Sequence, residues 1–178
     1  DGWLEIHQGK PTRVRNYWRE GNLGLLNAIS RHPELLPPDF VTQLLEARVS
    51  LAPDYAGLAV KRHPVEVAAL LADYRSLSET PEGYAEADWQ LHHQLTILSA
   101  NPVYTLILNG FATIYRLFGP LYFTDPANRA GSRAFYQALE TAAQAHDPQA
   151  ARAVTLAVMT ASLEAWLKIQ NTTTGGDS

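Results

Sequence analysis

Apolar and polar positions along this chain change period once, near the front. Leu4 and Ile6 alternate with Glu5 and His7, Gln8-Gly9-Lys10-Pro11 supplies a turn, and Thr12, Val14 and Asn16 alternate with Arg13, Arg15 and Tyr17. A period of two on both sides of a turn predicts a small β-hairpin with basic residues on its return strand. After it the apolar positions recur at helical spacing. Leu23, Leu26 and Ile29 lie on one helix face that ends at His32-Pro33. Pro37-Pro38 breaks the chain, and Asp39 is placed to cap a helix from Phe40 to His63 that Pro53 is expected to kink or split. Pro64 suits the first turn of the next helix, over 65–77, and Ser78 to Gly83 reads as loop. Further helices are predicted over 84–99, from Asn101-Pro102 to about Phe118 with Gly119-Pro120 as the interruption, over 127–145 after Asp125-Pro126, and from Asp147-Pro148 to about Gln170. Residues 171–178 contain no apolar side chain and are expected to be disordered.

The sum is an all-α fold, an antiparallel bundle of six or seven helices over 19–170, with a hairpin over 1–18. A two-stranded hairpin is marginal alone in water, so it reads as the remnant of a preceding domain. No internal repeat is visible. Bundles of this kind can hold a ligand between facing helices.

A chain of 178 residues fits one domain with a real core. No apolar run approaches the roughly 20 residues that span a bilayer, and no secretory signal opens the chain, which accords with a cytoplasmic protein away from membranes. The absence of cysteine excludes disulfides and thiolate catalysis. The net charge is −4, and Lys10, Arg13, Arg15 and Arg19 form the one basic cluster. A nucleic-acid-binding face is normally a concentrated basic surface, so the helical part is expected to have a different task.

The words Asp1-Gly2-Trp3-Leu4, Gly9-Lys10-Pro11-Thr12 and Val14-x-Asn16-x-Trp18 resemble the wing of a winged helix-turn-helix domain. The helical part resembles the effector-binding domain of FadR-type fatty-acid-metabolism regulators of the GntR superfamily. Matching stretches run in register through Leu44-Leu45-x-x-Arg48, His63-Pro64, Asp88-Trp89, Asn101-Pro102-x-Tyr104-x-Leu106-Ile107-Leu108-Asn109-Gly110, Tyr115, Tyr122-Phe123-x-x-Pro126, Phe135-Tyr136 and Ser162-x-Glu164-x-Trp166. The resemblance implies a cytoplasmic, homodimeric repressor-activator in which long-chain acyl-CoA enters the helical bundle and releases the DNA-binding heads from their operator. DNA contact would run through the missing N-terminal domain, with His7, Gln8, Gly9 and Lys10 at the tip of the wing. It further implies that Arg48, Tyr115, Tyr122, Met159, Ser162 and Trp166 contact the ligand. Family members carry Gly where this chain has Met159, whose longer side chain narrows that wall.

The residue types support some of this independently. Arg48 sits on an otherwise apolar helix face and must pair or reach solvent. A surface bridge to Glu46 or Asp54 is one outcome; a ligand phosphate or carbonyl is the other, since the planar guanidinium suits both. Tyr115 and Tyr122 offer apolar bodies with polar tips. Phe111, Ile114 and Phe118 suit an acyl-tunnel wall or plain core.

Asp88 and His92, four apart on a helix, share a face and have the spacing of a metal-ligand pair. The wider relatives of the domain add histidines at positions that fall near Phe135 and Thr160 here, and neither is a usual ligand. Two protein ligands make a weak site, so no metal is expected, and the two side chains are expected to pair with each other or with polar neighbours in a closed core. No phosphate loop, nucleophile elbow or repeated Glu-x-x-His pattern is present, and no cofactor is implied. A metal-dependent carboxylate sensor of a related regulator is the alternative, and a helical metalloenzyme the remoter one.

Overall fold

The structure is a computed structural model and describes Leu4–Glu5, Arg13–Val14, His32 and residues 36–174. Two short strands, β1 (Leu4–Glu5) and β2 (Arg13–Val14), pair antiparallel with Leu4 opposite Val14 and Glu5 opposite Arg13. The wing-tip residues His7 to Lys10 and the helix expected around Leu23 to Ile29 lie outside the described residues.

Seven α-helices follow among the described residues: α1 (Phe40–Arg62), α2 (Pro64–Ala72), α3 (Pro81–Leu98), α4 (Pro102–Gly110), α5 (Ala112–Phe123), α6 (Pro126–Gln144) and α7 (Pro148–Thr174). Four of them begin on one local device, a polar cap followed by proline. Thr80 accepts from the Gly83 N–H at 3.1 Å, Asn101 from Val103 at 3.2 Å, Asp125 from Ala127 at 2.8 Å, and Asp147 from Gln149 and Ala150 at 3.0 and 2.9 Å. The side-chain oxygen satisfies an orphan N–H of the first turn, and the proline next to it has none to satisfy.

Four boundaries differ from the sequence expectation. Helix α2, expected over 65–77, ends at Ala72 and gives way to a 3-10 turn over Asp73–Ser76. Helix α3 starts at Pro81 rather than Tyr84, because Thr80 caps it. The interruption expected at Gly119-Pro120 falls instead at Phe111, between α4 and α5, where the Phe111 N–H tightens onto Leu108 O at 2.9 Å. Pro120 is absorbed inside α5, as Pro53 is inside the unbroken α1. Gly119 packs closely there: a Cβ on it would stand 3.2 Å from the Ala85 Cβ of α3 and 3.2 Å from the Tyr115 ring. Helix α7 also runs on through 171–174. Its end is tied to the start of α1, where Thr42 Oγ1 donates to Gln170 Oε1 at 2.8 Å and Gln170 Nε2 donates to Pro38 O at 3.1 Å.

Helices α1 and α7 are antiparallel partners. Thr42 meets Gln170 at one end, and Arg152 donates to Asp54 at the other. Ala52, Ala56, Ala59 and Ala151 are fully buried, and such small residues let two helices approach closely. The main core continues through Val67 and Leu71 of α2, Tyr84, Leu91 and Leu95 of α3, Phe123 of α5 and Leu139 of α6. A second, smaller cluster gathers Phe40, Leu44 and Ile114, with Val41, Phe111 and Phe118 against it. The principal cavity lies at the seam between these two clusters.

Candidate functional site: an apolar chamber with a buried polar wall

The chamber is formed by α1, α3, α4, α5, α6 and α7 and has a volume of about 60 Å³. Its lining is mostly hydrocarbon and aromatic: Val41, Leu44 and Leu45 from α1, Ile114 and Phe118 from α5, Val158 and Met159 from α7. Arg48, Tyr115, Tyr122, Met159, Ser162 and Trp166, which lie on three helices, all line it. The helical period explains their convergence. Val41, Leu44, Leu45 and Arg48 form one stripe of α1, and Met159, Ser162 and Trp166 form another on α7.

One wall is polar. Tyr115 donates its hydroxyl to Asp88 Oδ2, and Tyr136 donates to Oδ1 at 3.0 Å. An Arg48 nitrogen and His92 Nε2 each stand 3.8 Å from Oδ2. The Arg48 guanidinium lies over the Tyr115 ring, 5.2 Å from its centre. Neither Glu46 nor Asp54 pairs with Arg48; Asp54 is taken by Arg152, and Arg48 turns inward to Asp88. Desolvation by burial, followed by the nearby Asp88 charge, pushes the Tyr115 and Tyr136 hydroxyls well above their ordinary range, so both remain donors.

His92 is sealed in the core. Its Nδ1 lies 2.7 Å from the Tyr55 hydroxyl, and its ring stacks on Phe135 with centres 6.1 Å apart. Burial pushes its pKa down to about 4 against a partial opposing pull from Asp88, so the ring is neutral near pH 7. The proton is favoured on Nε2, facing the carboxylate, which leaves Nδ1 to accept from Tyr55. Asp88 and His92 thus sit among polar neighbours, Asp88 at the chamber wall and His92 behind it with Phe135 stacked on its ring. Thr160 is exposed and donates to its own helix at Leu156 O. No group of three or more His, Cys, Asp or Glu able to hold a metal ion occurs among the described residues.

This places a pH dependence on stability. The ordinary histidine value is 6.5 and the folded value about 4, so the unfolded chain binds the extra proton first. The contribution is complete above pH 6.5 and is lost as pH falls toward 4, on the order of 3 kcal/mol. Urea unfolding at pH 7 and near pH 4 measures it. The Tyr55→Phe/His92→Phe double variant, which leaves no orphan hydroxyl, is expected to have a flatter profile across this window.

The chamber lining carries a second polar group. Tyr122 and Ser162 hydroxyls are 3.1 Å apart, and Ser162 donates to Val158 O at 2.8 Å, which leaves Tyr122 as donor to Ser162. Trp166 packs edge-on against Phe118 at 5.8 Å. Its Nε1, together with Nε and Nη2 of Arg48 and Nε2 of His92, is buried with no hydrogen-bond partner. Buried donors in this state are uncommon and need an explanation.

Two members of the polar wall, Tyr55 and Tyr136, were not singled out from the sequence. Tyr55 lies two turns beyond Arg48 on the same stripe of α1, a signal the periodicity does carry. Tyr136 stands beside Phe135 in a stretch that reads equally as core.

Comparison with known proteins places this architecture. Residues 15–175 match the family model described as FadR C-terminal domain. The chain is 44% identical over 146 residues to the fatty acid metabolism regulator protein of Shewanella baltica, covering 82% of this chain and 61% of that protein. It is 43% identical over 143 residues to the protein of the same name from Shewanella pealeana, covering 79% and 59%. The chain therefore spans about three fifths of the length of these curated relatives. A solved structure, Streptococcus agalactiae GntR, shares the fold with a TM-score of 0.50 at 17% identity, covering 92% of this chain and 75% of that one. With nearly its whole length matched by one family model, the chain belongs to the FadR C-terminal domain family.

Proposed function

We propose that the chamber is the effector site of a cytoplasmic regulator of fatty-acid metabolism and that its ligand is long-chain acyl-CoA. The observation that carries this reading is the combination of an apolar chamber with unpartnered N–H donors, on Arg48 and Trp166, in its wall. An acyl chain supplies the hydrocarbon such a lining takes up. A thioester carbonyl or a phosphate supplies the acceptors that those donors lack. The roles assigned to Arg48, Tyr115, Tyr122, Met159, Ser162 and Trp166 are ligand contacts, and none is catalytic.

The size of the chamber supports a conformational response. At about 60 Å³ it has room for a few waters. A long acyl chain therefore enters only by spreading α1, α5 and α7. The strands β1 and β2 lie N-terminal to α1, so a shift of that helix reaches the part of the chain that resembles a DNA-binding wing. In the intact homodimer this movement releases the DNA-binding heads from the operator.

Calorimetric titration tests the reading. Palmitoyl-CoA is expected to bind saturably, with CoA alone and palmitate alone binding far more weakly, since each satisfies only half of the site. A well-folded protein that takes up no acyl-CoA at tens of micromolar, weaker than about −6 kcal/mol, would overturn it.

A further inference from the structure

A second cavity of about 20 Å³ lies next to the chamber. It shares Arg48, Leu108 and Phe111 with the chamber and adds Leu51, Tyr55, Tyr104 and Ile107. The two lie end to end along α1. Positions 41, 44, 45 and 48 line the first, and 47, 48, 51 and 55 line the second, a single stripe at helical spacing. Positions 104, 107 and 108 of α4, with Phe111 just after it, continue another wall in the same way.

We propose that this smaller cavity is a distal subsite that takes the far end of a long acyl chain, and that Leu51, Tyr104 and Ile107 set the longest chain accepted. The proposal rests on the acyl-CoA reading of the chamber. From Val41 to Arg48 the stripe covers roughly 10 Å at a rise of about 1.5 Å per residue, and continuing to Tyr55 brings it to roughly 21 Å. The first segment alone is short for a long acyl group, and the two together suit one. Arg48 lines both cavities, with its guanidinium turned onto Tyr115 and toward Asp88. The Tyr55 hydroxyl is committed to His92, so that side chain presents ring carbon to the subsite.

Ile107 lines the smaller cavity and not the chamber, which makes it the probe. Lauroyl-CoA, myristoyl-CoA and stearoyl-CoA are titrated calorimetrically into wild type, Ile107→Trp and Ile107→Ala, each first checked for folding by circular dichroism. Each methylene kept off an apolar wall costs roughly fourfold in affinity. Ile107→Trp is therefore expected to weaken stearoyl-CoA by about tenfold or more while lauroyl-CoA stays within about twofold. Ile107→Ala, which opens the space and should fold even if the Trp variant does not, is expected to shift preference toward stearoyl-CoA over lauroyl-CoA. Changes that are equal across chain lengths, or no change for stearoyl-CoA, overturn the subsite and leave the acyl-CoA reading standing. A wild type that binds none of the three overturns both.

Discussion

Replacing Asp88 by Ala is expected to destabilise the domain by about 3–5 kcal/mol, the usual cost of removing one partner from a buried charged pair. The carboxylate accepts from Tyr115 and Tyr136 and is the acidic group that Arg48 and His92 face. Its loss strands a buried guanidinium and two hydroxyls that no longer have an acceptor. An orphaned hydroxyl costs about 1–3 kcal/mol, but these terms share one network and do not add. Set against a typical domain stability of about 5–15 kcal/mol, the change is large enough to threaten folding at body temperature. Urea unfolding followed by circular dichroism measures it. The companion variant Arg48→Met/Asp88→Leu removes both charges and is expected to recover a good part of the loss, since well-packed apolar replacements of buried ion pairs are often neutral or better. A loss under about 1 kcal/mol for Asp88→Ala, or no recovery in the double variant, would mean that the cluster is effectively solvated.

The second large effect belongs to Met159. The residue is buried, with 4% of its surface exposed, and joins the main core while also lining the chamber. Met159→Gly removes a core side chain, which costs about 2–5 kcal/mol when the site cannot collapse, and places Gly inside a helix for about 1 kcal/mol more. The space it frees lies beside Ser162 and Trp166. Affinity for bulkier or longer acyl-CoAs is therefore expected to rise relative to short ones even as stability falls. Thermal melts and a titration series across acyl lengths read the two effects separately. A stability loss with an unchanged length preference would assign Met159 to core packing alone.

The fold was legible wherever a local device wrote it into consecutive residues. Asn101-Pro102, Asp125-Pro126 and Asp147-Pro148 mark helix starts because cap and proline act within one turn. Thr80-Pro81 is the same device, but it sits in a polar stretch that reads as loop, so α3 begins earlier than its first apolar residue suggests. The break between α4 and α5 carries no Gly-Pro signal. It falls at Phe111, which lines the chamber, whereas Gly119-Pro120 stays helical, with Gly119 packed closely against Ala85 of α3. These are decisions of tertiary packing, and local propensity is silent about them.

The site was legible in part. Stripes on α1 and α7 place Arg48, Met159, Ser162 and Trp166 on inward faces, and the family resemblance names them. The polar wall was not legible as a unit. Arg48 and Asp88 are far apart in sequence, and Arg48 had nearer acids in Glu46 and Asp54 that it does not use. Asp88 and His92 show the spacing of a metal pair, yet Tyr55 takes one nitrogen of His92 and Phe135 covers its ring face. A residue at the right spacing becomes a ligand only if its neighbours leave it free, and those neighbours come from other helices.

The measurement that bears most directly on the acyl-CoA reading is the calorimetric titration with a long-chain acyl-CoA, repeated at several temperatures. The account predicts a single saturable site on each chain and a negative heat-capacity change of binding, the mark of apolar surface leaving water. It further predicts that both affinity and heat-capacity change are reduced in Trp166→Ala. Absence of binding in a folded protein, or binding with no heat-capacity change and no response to Trp166→Ala, would contradict it.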